Sequence, residues 1–340
     1  MNLPPDSRLQ FTPDLTICRV LNGMWQVSGA HGSINPQRAI QSMFQYLDAG
    51  FTTWDLADHY GPAEDFIGEF RRQLATTRVQ AALASLQAFT KWVPRPTKMT
   101  QQFVEKNIDI SLKRMGVETL DLLQFHWWDY RDKNYLDALQ YLAQLQQEGK
   151  IKHLALTNFD TKHLKIILEA GIQIVSNQVQ FSLIDRRPLV KMREFCQQHE
   201  INLLAYGTLC GGLFSEAYLQ QPEPNWMRLN TASLRKYKNM IDNWGGWRLF
   251  QELLAALQEI AAKYQVTIPN VAVRYVLEQP MVAGAIVGAR LGLSEHIEDN
   301  ARVFEFSLAD EDYQHLETVF SQSRNLYQLI GDCGDEYRQH

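Results

Sequence analysis

Apolar and polar positions along this chain alternate between two patterns, a short β-rich run and then a longer segment whose apolar residues recur every three to four positions. VLNGMWQV at 20–27 is followed by PQRAIQSMFQYLDAG at 36–50, where Gly50 suits a helix end. FTTWDLAD at 51–58 leads into PAEDFIGEFRRQL, with Pro62 predicted at the first helical position and Glu64 and Asp65 near its amino end. QAFTKW at 87–92 precedes a helix bracketed by Thr100 and Gly116. LDLLQFHWW at 120–128 precedes one on which Leu139, Leu142 and Leu145 share a face. IKHLALTNF, IVSNQVQFS and INLLAYGTL continue the series to residue 209.

The rhythm breaks over 209–248, where CGGLFSE, QPEPNW and NWGGW predict a long excursion over the surface. It resumes with an amphipathic helix through Phe250, Leu253, Leu254, Leu257 and Ile260, a second helix in IPNVAVRYVLEQ, and an eighth strand in VAGAIVGA at 282–289. SEHIEDN then starts a helix, and residues from about 321 to 340 read as a tail on the surface. Eight parallel strands separated by helices predict an α/β fold, a closed (β/α)8 TIM barrel with a loop excursion after strand 7 and a C-terminal tail. A doubly wound sheet carries a GxGxxG after its first strand, and this chain has none. No low-complexity linker divides residues 1–340, so a single domain is expected, with the barrel over about 15–320.

Composition narrows the function classes. The 340 residues are 45% hydrophobic and 21% charged, as in a globular protein with a large core, and the formal charge of −5 offers no basic field for nucleic acid. Neither a leader-like start nor a long apolar stretch is present, so no membrane partner and a cytoplasmic location are expected. Cys18, Cys196, Cys210 and Cys333 are scattered without metal-ligand spacing and read as reduced thiols.

Three consecutive strand candidates end in residues that handle protons: Asp55 with Tyr60, then Lys91, then His126. If the strands are parallel neighbours, these side chains meet at the C-terminal rim, where barrels of this type carry their active sites. Tyr60 would donate a proton to a carbonyl oxygen. Lys91 would lower the phenol's pKa, Asp55 would hold Lys91 charged, and His126 would hydrogen-bond the oxygen as charge develops. His59, His126 and His153 lack the paired spacing of a metal site, and His153 lies near the beginning of its strand, so no metal is expected. Trp25, Trp92, Trp127 and Trp128 are candidates for an apolar pocket, and QPEPNW and NWGGW for substrate specificity.

These segments resemble the aldo-keto reductase family. GMWQ at 23–26, WDLADHYGPAE, FTKW and FHWWD match its strand and catalytic segments in order, which implies Asp55, Tyr60, Lys91 and His126 as a catalytic tetrad. The resemblance further implies cofactor contacts at Gly23, Met24 and Trp25, at Asn158 and Gln178 for a nicotinamide carboxamide, and at Tyr206, stacked on the ring. Gly207 and Leu209 follow at the pyrophosphate, and Arg290, Ser294, Asp299 and Asn300 at the adenosine phosphate. The expected cofactor is NADP (NADPH), with NAD as the competing choice, because Gly288 and His296 depart from a common family pattern. The implied activity is carbonyl reduction of a small molecule. The alternative is a nicotinamide-cofactor-binding regulatory or sensor subunit with little turnover. Substrate and oligomeric state are open at this stage.

Overall fold

The computed structural model describes residues 3–29, 34–78 and 80–338. An antiparallel hairpin comes first, β1 (Arg8–Thr12) and β2 (Leu15–Cys18), turning at Pro13 and Asp14. The barrel strands are β3 (Val20–Gly23), β4 (Thr53–Asp55), β5 (Gln87–Trp92), β6 (Leu122–Phe125), β7 (Leu154–Thr157), β8 (Ser176–Gln180), β9 (Asn202–Tyr206) and β10 (Val282–Gly288). They pair in parallel in chain order, and β10 closes the ring against β3. The eight predicted strands are these; β5 matches its run of 87–92 and the other seven are shorter than theirs, because those runs continue into the adjoining loops.

The helices are α1 (Pro36–Asp48), α2 (Ala63–Thr77), α3 (Gln80–Ala84), α4 (Gln101–Met115), α5 (Asn134–Gln147), α6 (Thr161–Glu169), α7 (Met192–Gln198), α8 (Ala232–Trp244), α9 (Gly246–Tyr264), α10 (Ile268–Leu277), α11 (Ile297–Ala301), α12 (Asp310–Phe320) and α13 (Leu326–Ile330). Local signals set their ends. Thr100 Oγ1 accepts from the Phe103 amide to start α4, and Gly116, at φ 65°, ends it. Pro62 is the residue before α2 rather than its first, so that helix begins at Ala63. At Gly68 a Cβ would lie 2.1 Å from the Arg114 carbonyl oxygen, so the missing side chain lets α2 and α4 pack backbone to backbone.

One apolar core fills the space between strands and helices. A second joins the hairpin to the barrel interior, with Phe11, Leu15 and Ile17 against Leu21, Phe89, Leu122, Ala155, Leu204 and Ala283. The hairpin sits where the strands begin: Asn202, first in β9, donates to the Phe11 carbonyl at 3.0 Å. His153, just ahead of β7, meets Thr12 and Asp14 there, away from the opposite rim.

Three expectations need correction. The 209–248 excursion is not bare loop, because α8 lies within it and buries Tyr237, Met240, Ile241 and Trp244. The tail lies on the surface only in its first part, over 321–330, whereas Asp332, Cys333 and Gly334 are buried. The helix expected near Ser294 begins at Ile297, because Leu293 and Ser294 donate their amides to the Arg290 carbonyl and form a turn first.

Candidate active site

The barrel's C-terminal rim is organised around one buried carboxylate. Asp55, the last residue of β4, accepts from Lys91 of β5 at 2.7 Å through Oδ2. Through Oδ1 it accepts from Gln124 of β6 at 3.0 Å and from Gln178 of β8 at 2.7 Å. Gln178 Nε2 also donates to Gln124 Oε1 at 2.7 Å, so amides from two further strands lock the acid in place. Lys91 makes a second bond to the Leu56 carbonyl at 3.0 Å. Burial pushes its ammonium below the ordinary lysine range and the Asp55 charge opposes that shift.

Lys91 Nζ stands 5.1 Å from the centroid of the Tyr60 ring. The expected lowering of the phenol's pKa is not what this arrangement produces. Burial raises it well above the ordinary tyrosine value, and Asp55, Tyr337 and Asp58 add to the rise. The main physical reason is desolvation of the phenolate, and the Asp55 charge beside Lys91 weakens but does not abolish the pull of the ammonium on it.

His126 follows β6 and is buried, its Nδ1 3.1 Å from the Thr157 carbonyl oxygen. A carbonyl only accepts, so Nδ1 carries the proton. Burial holds the imidazole's pKa down at about 3, which keeps the ring neutral, and Nε2 is then a lone-pair acceptor without a partner. In this tautomer Nε2 offers a lone pair rather than the proton expected of His126 at a carbonyl oxygen. Trp128 packs edge-on at 4.3 Å from the His126 ring, and Trp25 at 5.0 Å from the Tyr60 ring. Trp92 and Trp127 are instead core residues, as are Trp244 and Trp247 of the NWGGW run, whereas Trp226 is 75% exposed.

The expected cofactor positions follow the ends of neighbouring strands. Gly23 ends β3, and a Cβ there would meet Ile286 Cγ2 at 2.8 Å. Met24 donates its amide to the Asp55 carbonyl at 2.8 Å, and Trp25 follows it. Asn158 and Tyr206 are joined, the phenol donating to Asn158 Oδ1 at 2.9 Å. Gly207, at φ 75°, and Leu209 continue from Tyr206. Arg290 is exposed in the loop after β10. Asp299 turns away from that loop, its carboxylate accepting from Thr267 at 3.2 Å and its carbonyl from Asn270, while Asn300 donates its amide to the His296 carbonyl.

The adjacent strands β9, β10 and β3 are each followed by a buried side-chain oxygen with no hydrogen-bond partner: Thr208 Oγ1, Ser294 Oγ and Gln26 Oε1. Buried polar atoms are rarely left unpaired. Such a row beside the rim fits a polar ligand of extended shape, as a dinucleotide is.

A sequence model of the family described as Aldo/keto reductase family matches residues 19–320. The chain belongs to the aldo/keto reductase family. It is 24% identical to the NADH-specific methylglyoxal reductase of Escherichia coli strain K12 over 320 residues, 88% of this chain and 94% of that one. It is also 24% identical to the L-glyceraldehyde 3-phosphate reductase of Escherichia coli O157:H7, with 91% of each chain covered. Among solved structures, an aldo/keto reductase from Klebsiella pneumoniae in complex with NADP and acetate superposes with a TM-score of 0.69. That pair is 19% identical, and the match covers 94% of this chain and 97% of the other.

In this aldo/keto reductase the rim holds residues that sequence reasoning did not single out. Gln124 is one; it lay inside an apolar run, and its inward direction follows only from the strand's pleat. The others are in the tail, which crosses the mouth, or hold it there. Arg187 is fully buried, paired with Asp185 through two 2.8 Å bonds, and it also donates to the Asp332 carbonyl at 3.0 Å and to Glu336 at 2.9 Å. Tyr337 meets the Tyr206 hydroxyl at 3.0 Å and accepts a bond from Lys236 of α8. Arg338 donates to the Trp127 carbonyl at 2.8 Å and lies 3.9 Å from the centroid of the Tyr130 ring.

Proposed function

We propose that this aldo/keto reductase converts an aldehyde or ketone to an alcohol with NADPH as reductant and Tyr60 as general acid. The observation that carries the reading is the set gathered at the rim: the buried Asp55–Lys91 pair beneath Tyr60, with buried His126 and its unpartnered Nε2 after the next strand but one. The bound cofactor supplies a hydride to the carbonyl carbon. Tyr60 supplies the proton. Its raised pKa keeps the phenol protonated until negative charge develops on the substrate oxygen, and that oxygen is then the stronger base. Lys91, held by Asp55, stabilises the phenolate left behind. Nε2 of neutral His126 accepts from the hydroxyl that forms and so favours the alcohol over the alkoxide.

Asn158, Gln178 and Tyr206 are the side chains proposed to hold the nicotinamide, with Gly23, Met24, Trp25, Gly207 and Leu209 providing close backbone approach. The preference for NADP rests on Arg290, whose planar guanidinium suits a ribose phosphate, and on the unpaired Ser294 hydroxyl nearby. The NADP complex of the Klebsiella structure supports it, and the NADH-specific E. coli relative marks the competing outcome. The names of the relatives point to small aldehydes such as methylglyoxal and triose phosphates.

A screen of cofactor oxidation across carbonyl compounds, run with NADPH and with NADH, tests the whole reading. Turnover of small aldehydes is expected, faster with NADPH, and Arg290→Ala is expected to remove most of that preference. Tight cofactor binding with negligible turnover across the panel would overturn the enzymatic reading.

A further inference from the structure

The last described residues form a strap that is built into the mouth. Its backbone approaches closely: Gly334 has φ 88°, and a Cβ there would come within 2.0 Å of the Asn158 carbonyl oxygen. Its anchor is buried, since Arg187 binds Asp185 on one side and reaches the Asp332 carbonyl and Glu336 on the other. Thr161, at the start of α6, adds its amide to the Asp332 carboxylate at 3.0 Å.

The strap ends on the residue that is meant to stack on the nicotinamide. Tyr337 and Glu336 lie 3.0 and 3.4 Å from the Tyr206 hydroxyl. Lys236 donates to the Tyr337 hydroxyl, and its ammonium stands 5.0 Å from the centroid of the Tyr206 ring and 4.6 Å from that of Tyr337. A cation over an aromatic ring occupies space that a stacked ring needs. Asn158, proposed for the carboxamide, spends its side-chain oxygen on Tyr206.

We propose that strap and nicotinamide are alternative occupants of the Tyr206–Asn158 subsite, so the C-terminal strap is an internal competitor of the cofactor. This rests on the assignment of Tyr206 and Asn158 given under Proposed function. Helix α8 and the strap close on each other through the Lys236–Tyr337 clasp, and a nicotinamide ring stacks on Tyr206 only after the clasp opens. The contacts at the Tyr206 end suit an exchangeable occupant, because they join hydroxyl, carboxylate and ammonium groups that a ligand or water also satisfies, although the Tyr337 ring packs on His126 and Trp128 as well. With the strap docked about nine-tenths of the time, the apparent Kd for the cofactor is about tenfold above its intrinsic value.

The test uses the full chain. NADPH fluorescence titration of Tyr337→Ala is expected to give binding about tenfold tighter than wild type, and Glu336→Gln a smaller shift in the same direction. Hydrogen exchange of wild-type 331–338 is expected to speed up at saturating NADPH. Unchanged or weaker binding in Tyr337→Ala overturns the proposal, as does protection of 331–338 by NADPH, which would mean that the strap closes over the cofactor. Tyr206→Ala in the same titration separates two failures. Weaker binding there beside an unmoved Tyr337→Ala overturns the strap alone, whereas unaltered binding in Tyr206→Ala removes the subsite and the proposal with it.

Discussion

Each end of the barrel is closed by a terminal segment, and the two closures differ in chemistry. At the floor the N-terminal hairpin buries Phe11, Leu15 and Ile17 against six barrel side chains, with the Phe11 and Phe89 rings 5.9 Å apart. At the mouth the C-terminal strap buries Cys333 and packs Tyr337 on His126 and Trp128, but it holds on mainly through Arg187, Lys236 and Arg338, by hydrogen bonds and cation contacts. Opening an apolar seal costs about 25 cal/mol for each Å² exposed, with nothing to replace it, whereas a polar contact is exchanged for another polar contact. The floor is therefore held by apolar burial, whereas the mouth is held largely by polar groups of a kind that a polar ligand can also satisfy.

Three experiments press on this contrast. Tyr60→Phe carries the largest expected effect: turnover falls about 10²- to 10⁴-fold, as for the loss of a positioned general acid, while the thermal midpoint stays near that of wild type. Near-normal reduction of a confirmed substrate would remove Tyr60 as the acid. Next, Phe11→Ala at the floor is expected to cost about 3 to 5 kcal/mol in urea unfolding and to leave kcat unchanged when assayed well below the transition. A loss of kcat there with little loss of stability would mean that the two ends are coupled.

The smallest effect concerns pH. His126 has its pKa held at about 3 by burial against an ordinary 6.5, so between those values the unfolded chain binds a proton that the folded chain does not. Stability from this group is complete above pH 6.5 and fades as the pH falls toward 3. Urea midpoints at pH 7 and pH 5 are expected to differ less in His126→Gln than in wild type. They are expected to differ equally in Phe11→Ala and wild type, because the floor substitution leaves His126 in place. An identical pH response in His126→Gln and wild type would show that the ring is not held neutral.

The strands were legible because each apolar run ends at a polar residue of the rim, and Asp55, Lys91 and His126 mark those ends in order. The floor hairpin had a local signal, the Pro13–Asp14 turn between apolar runs, that is easily passed over beside the longer barrel pattern. The strap had no such signal. GDCGDEYR reads as a solvated end by composition, and what buries it is Arg187, 149 positions away from Glu336 in the chain. The proton polarity of His126 was equally hidden, since it depends on one carbonyl, that of Thr157, supplied by the next strand. Residue types revealed which chemistry gathers at the rim. Direction of each hydrogen bond, and what stands over Tyr206, came only from packing.

Gln178 has both amide hydrogens committed, one to Asp55 and one to Gln124, at 2.7 Å each. Only its carbonyl oxygen is left to meet a ligand, and an oxygen in that position rewards a donor and rejects an anion. On the proposed reading, the site therefore distinguishes the amide of a nicotinamide from the acid of a nicotinate. A deamidated dinucleotide would be turned away by the same carboxylate that holds Lys91 in place, acting through one glutamine.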